Sequence, residues 1–149
     1  SNHVQNRIIL INYIDMTKMK MKNSEFVELF NGLAAVQQLK GVKFGLLVSK
    51  NVRTIQRELD YLEDASKPSD EFVALSVQMN QLMNDKNEKE VKALEKKNAK
   101  LIQERKDQLA ELEKLMEEEV ELELLEIPED CLPEDISGEQ IINIDKIIA

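Results

Sequence analysis

The chain has 149 residues, 42% of them hydrophobic, and 29 acids against 20 Lys and Arg give a net charge of −9. That length suits one domain with a core of its own, and the acid surplus opposes non-specific nucleic-acid binding, which requires Lys and Arg to neutralise phosphates. The single cysteine, Cys131, and the single histidine, His3, exclude an intrachain disulfide and leave no set for a Cys/His zinc centre or for Ser–His or Cys–His catalysis in the body of the protein.

Residues 1–15 read as a leader, disordered or forming a strand. Residues 1–6 are polar, and the opening Ser-Asn fits a protease scar. Residues 7–14 (RIILINYI) are apolar and β-branched, but the run is too short to span a bilayer and lacks the small-residue cleavage site of a signal peptide. Met16, Met19 and Met21 each suit a start. One helical domain is expected over 16–149.

Residues 18–22 (KMKMK) alternate strictly, which predicts a half-buried strand with Met19 and Met21 on one face. Asn23 and Ser24 offer N-cap chemistry for a helix over about 24–40, with Glu25 in its first turn. Phe26, Leu29, Phe30, Leu33 and Val36 form its apolar stripe, and Gly41 suits a left-handed C-terminal position. A second helix over 42–64 carries Val48, Val52, Ile55, Leu59 and Leu62 at 4-3-4-3 spacing, so the two helices read as a hairpin. Lys50, Arg53 and Arg57 lie off that seam and read as a solvated face.

Pro68 breaks the chain, and Ser69 or Asp70 can cap a new helix. One long, bent helix is expected over 70–118. Its first part bears Phe72, Leu75, Met79, Leu82 and Met83, read as core, with an adaptable partner-binding surface as the lesser reading of this Met-rich stripe; the wholly polar stretch 84–90 (NDKNEKE) is either exposed helix or the place for a kink or loop. Residues 87–116 lack Gly, Pro and aromatics and make a rod of roughly 45 Å. Val91, Leu94, Leu101, Ile102, Leu109 and Leu112 are its expected partner-binding surface, continued by Leu115 and Met116. Asn98 and Arg105 occupy slots where a heptad repeat wants Leu, so the seam is too thin for an autonomous coiled coil. The helix over 42–64, or a second subunit, is expected to cover it.

Charge is concentrated beyond the rod. Residues 117–149 carry twelve acids and one Lys, whereas the rest of the chain carries seventeen acids and nineteen bases. In 119–127, Val120, Leu122 and Leu124 alternate with Glu119, Glu121 and Glu123, predicting a second strand. Pairing it antiparallel with 18–22 sets Met against Val and Leu, and Lys against Glu. A divalent-cation site in this acid run is disfavoured, because it lacks EF-hand spacing and a glycine turn. Residues 128–133 form an extended connector, with Cys131 an incidental small residue. Ser137 and Gln140 make a capping box for a helix over 138–148, whose Ile141, Ile144, Ile147 and Ile148 dock on the core.

The expected fold is mainly α. It is an elongated, coiled-coil-like helical hairpin with a small two-stranded sheet joining the N-terminal and C-terminal regions, and a short C-terminal helix.

Residues 19–62 and 112–148 carry a resemblance. An MK-rich strand, a helix, a short break and a second helix reach the step Lys50-Asn51-Val52-Arg53-Thr54-Ile55. After a variable helical middle come an EEVEL strand and a PEDIS segment with a terminal helix. This resembles a family of small uncharacterised proteins encoded by tailed bacteriophages. The resemblance implies phage origin, carries no catalytic motif and transfers no site residues. The expected function is therefore non-enzymatic: protein–protein interaction, with a protein partner or self-association as a homodimer, in virion assembly or as a structural accessory. No cofactor, metal, membrane or nucleic-acid partner is expected, and the expected location is the host bacterial cytoplasm or the virion, without secretion. The alternative is a host-takeover inhibitor whose acidic C-terminal segment mimics nucleic acid.

Overall fold

The computed structural model describes residues 15–149, so the leader expected over 1–15 lies almost wholly outside the described residues. The fold is mainly α: seven helices and one two-stranded antiparallel sheet among the described residues. The chain divides into two compact units. One is built from the described residues up to Asp60 together with Glu117–Ala149, the other from Tyr61–Met116.

The first unit is organised by the sheet. Strand β1 (Met16–Lys22) pairs with β2 (Glu119–Leu125) so that Met21 faces Val120, Met19 faces Leu122 and Thr17 faces Leu124. The opposite face sets Lys22, Lys20 and Lys18 across from Glu119, Glu121 and Glu123. The two alternating patterns therefore mesh in both their apolar and charged faces, and Met21, Leu122 and Leu124 are buried. The ion pairs run diagonally, with Lys22 Nζ 2.7 Å from a Glu117 carboxylate oxygen and Lys20 Nζ 3.8 Å from one of Glu119. Being exposed, they contribute little beyond register.

Two strands alone are marginal in water, and helices cover the apolar face. Helix α1 (Asn23–Ala35) buries Phe26, Leu29 and Leu33; α2 (Val42–Glu58) buries Phe44, Leu47, Val48, Val52 and Ile55. The two pack on each other as the expected hairpin. Helix α1 ends at Ala35, short of the expected residue 40, and turns carry the chain to Gly41. Gly41 is not a left-handed cap of α1. It precedes α2 with φ 132°, a region that disfavours any side chain, and its carbonyl accepts from the Gly45 N–H at 2.8 Å. Asn23 and Ser24 do not cap α1 from outside either. Lys22 holds that position, its backbone N–H donating to Glu25 at 3.3 Å, and Asn23 is buried inside the first turn.

After β2 the chain makes a short 3-10 turn (Glu129–Cys131) and enters α7 (Gly138–Ile144) through the expected capping box. Gln140 N–H donates to Ser137 Oγ at 3.1 Å, and Ser137 N–H to Gln140 Oε1 at 3.0 Å. The helix stops at Ile144, and a second 3-10 turn (Asp145–Ile147) replaces the last turns expected up to 148. That tightening brings Ile148 beside Ile127 in a parallel bridge, with Ile127 N–H donating to the Ile147 carbonyl at 2.9 Å. Helix α7 lies so close to α1 that a Cβ on Gly32 would fall 2.6 Å from the Asn143 carbonyl oxygen.

The second helix expected over 42–64 is divided at Leu59, whose φ −107° and ψ 11° are not helical, and α3 (Asp60–Ser66) follows. Ser69 caps α4 (Asp70–Asn84), accepting from Phe72 N–H at 3.1 Å.

The single helix expected over 70–118 does not form. Lys86 adopts φ 57°, with its N–H donating to Met83 and that of Asn87 to Leu82, each at 3.0 Å. This is a Schellman stop with a lysine in the position glycine usually takes. Asn87 then caps α5 (Glu88–Lys97) by accepting from Glu90 N–H at 3.4 Å. The polar stretch supplies both a stop and a start, and reversal lets α4 lay its apolar stripe on the rod. The rod's cover within this unit is thus α4.

The rod itself is α5 and α6 (Ala99–Glu117), divided at Asn98. The hydrogen-bond ladder persists, Asn98 N–H donating to Leu94 and Ile102 N–H to Asn98, each at 3.0 Å. The Asn98 side chain also donates to the Leu94 carbonyl at 2.9 Å, a back-bond of the kind that bends helices.

Candidate docking surface on the helical hairpin

The unit formed by Tyr61–Met116 is a hairpin of α4 against α5 and α6. Its register is held by polar residues at one end. Arg105 donates to the Ser66 carbonyl at 2.9 Å and to Gln108 Oε1 at 2.8 Å, while Gln108 donates to the carbonyls of Ala65 at 3.0 Å and Lys67 at 2.7 Å. These are carbonyls at the C-terminal end of α3, where helical partners run out. Arg105 also lies 5.8 Å from the Phe72 ring centroid, within cation–π range. The arginine that interrupts the heptad pattern is therefore the residue that docks α6 on the turn before α4.

Burial separates the two units. On α5 and α6 no residue is buried, and in the hairpin only Leu62 and Leu75 are. Of the six residues expected to form a partner surface, Val91, Leu94, Leu101, Ile102 and Leu112 are half-buried, and Leu109 is 45% exposed. Leu101 and Ile102 fall on different clefts. Ile102 shares with Phe72, Leu75, Met79 and Ala99 an open groove of about 620 Å³ between α4 and the rod. Leu101 shares a smaller cleft with Phe72, Arg105 and Gln108. Val91, Leu94, Leu109 and Leu112 line neither of these two clefts.

Leu75, expected as core, is buried, and with the half-buried Phe72 and Met79 it forms the α4 wall of the groove. Helix α4 also exposes Val73, Val77 and Met83, Val77 by 62%. A signal for them is present: residues 72–84 carry no charge, whereas a solvated helix face normally does.

Elsewhere, chemistry is sparse. Lys50, Arg53 and Arg57 line a cleft of about 390 Å³ beside β2, but Glu123 sits in the same cleft and Arg57 lies 3.6 Å from Glu58. Glu25, Glu28, Asp145 and Lys146 border another concavity. There Lys146 donates to Glu25 at 2.7 Å, and this bond, followed by the Lys22 N–H, holds the Glu25 carboxyl below its ordinary range. The Lys22 ammonium is held above its ordinary range, chiefly by its hydrogen bond to Glu117. Burial pushes the Cys131 thiol up, so little thiolate forms at neutral pH. No group of three or more His, Cys, Asp or Glu among the described residues is placed to hold a metal ion. No helix of the described residues is long and apolar enough to cross a membrane.

The described residues thus define a mainly α protein in which a sheet-clipped core and an under-covered helical hairpin alternate along the chain. No protein-family model, curated protein or solved structure matches it.

Proposed function

We propose that this chain is a non-enzymatic phage protein acting through protein–protein contact, as a virion-assembly accessory or structural component, with the hairpin of residues 61–116 as its docking element. The observation that carries this reading is the rod. Nineteen residues of α6 and ten of α5 contain no buried side chain, although apolar residues recur along both. Apolar surface left half-covered on a helical hairpin favours burial against a partner. The phage assignment rests on the sequence resemblance.

Affinity capture from phage-infected cells tests the reading, using the whole chain and a Leu101→Glu/Leu109→Glu variant. Wild type is expected to retain virion proteins that the variant loses. A wild-type chain that captures none and is monomeric by light scattering would sink the proposal. A nucleic-acid mimic in residues 117–149 fits less well, because Lys20 and Lys22 lie against Glu119 and Glu117 and interrupt the acidic surface.

A further inference from the structure

We infer that the hairpin's partner is a second copy of this chain, docked antiparallel so that the groove between α4 and the rod receives the same region of its mate. The inference rests on the docking reading of the hairpin and names the occupant.

Three observations carry it. First, the groove has an apolar floor, supplied by Phe72, Leu75, Met79, Ala99 and Ile102. Two helices with an open apolar seam complete a four-helix core when a second pair covers it. Second, the α4 rim offers only Ser76 and Asn80, so a twofold axis brings no like charges together there. Third, the rod rim is self-complementary. It carries Glu95 toward one end of the groove and Lys106 toward the other. Their separation corresponds to about three helical turns, roughly 16 Å on the same face. Neither residue takes part in the ion pairs among the described residues.

A twofold axis through the middle of the groove sets Glu95 of each copy opposite Lys106 of the other, which is how an isologous interface works. Parallel docking instead sets Glu95 on Glu95 and Lys106 on Lys106, and charge complementarity of this kind sets register and orientation more than affinity.

Sedimentation velocity on the purified chain tests this, with Glu95→Lys, Lys106→Glu and the double exchange. Wild type is expected to be a dimer in the micromolar range. Each single exchange turns two attractive pairs into two repulsive ones and is expected to weaken the dimer about tenfold or more. The double exchange restores the pairing in reverse and returns the dissociation constant to the wild-type value. Both sites are exposed, so circular dichroism should be unchanged throughout. A wild-type monomer at every concentration overturns the inference. So does a dimer indifferent to the single exchanges, or one that the double exchange fails to rescue. A monomer that still captures virion proteins removes self-docking while leaving the docking reading standing.

Discussion

Asn51 shows how one side chain closes a strand that has no further neighbour. It is 1% exposed, donates from Nδ2 to the Leu125 carbonyl at 2.8 Å and accepts from the Leu125 N–H at 2.8 Å. The amide thus serves as a third strand at the edge of β2 and ties α2 to it. Truncation leaves both backbone groups without this partner, and leaving part-buried groups unpaired costs more than a neutral hydrogen bond contributes. Asn51→Ala is expected to lower stability by about 2–3 kcal/mol, read as a drop in the urea midpoint. A midpoint within error of wild type would show that water replaces the amide.

Glu25 reports on a different contact. A carboxyl whose folded pKa is depressed contributes stability above the ordinary carboxylate range, and that contribution fades as pH falls through the depressed value. The Lys146–Glu25 contact is solvent-exposed and therefore screened by salt. Lys146→Met is expected to bring the Glu25 midpoint up toward the ordinary range in a carboxyl-detected NMR titration. The Lys22 N–H keeps part of the depression. An unmoved midpoint would mean that the ion pair is not populated.

At the scale of elements, the turn between α4 and α5 decides the architecture of the second unit. Lys86 sits in left-handed conformation, which an L side chain adopts at a cost and glycine adopts freely. Lys86→Gly is therefore expected to stabilise the hairpin by about 1 kcal/mol. The check is the thermal unfolding of the variant, which would melt lower if the residues ran on as one helix. This stop is hard to read from NDKNEKE, because a Schellman motif normally announces itself with glycine. The sheet is legible for the opposite reason. With period-two alternation and opposite charge on two segments, a one-residue slip would turn the apolar side chains to solvent, so pairing sets Met against Val and Leu and Lys against Glu. Arg105 and Gln108 are visible in sequence only as interruptions of a seam. Their partners are backbone carbonyls of residues 65–67, which no side-chain pattern discloses.

Over the whole molecule, burial is divided unequally between the units. Fully buried side chains concentrate in the unit containing the sheet, while the hairpin buries two. Local opening free energy rises with buried apolar contact. Hydrogen exchange by mass spectrometry at low protein concentration is expected to show residues 88–116 exchanging well before β2 and α2. Uniform protection across both units would contradict the partition. Leu101 and Ile102, which line the two clefts, are legible from helical spacing, because spacing alone identifies an apolar face. Which of the other apolar residues stay uncovered is not legible, since a stripe in sequence does not say what lies against it.

Sequence by itself determined the elements with strong local codes. These are the alternating strands and their pairing, the stripes of α1 and α2, and the Ser137–Gln140 box. Each depends on periodicity or on groups three or four residues apart, which the covalent chain places together. Tertiary structure alone decided that 70–118 folds back on itself, that Asn51 completes β2 and that the rod is left half-covered. Those outcomes depend on which surfaces remain after packing, and burial is a property of neighbours far apart in the chain.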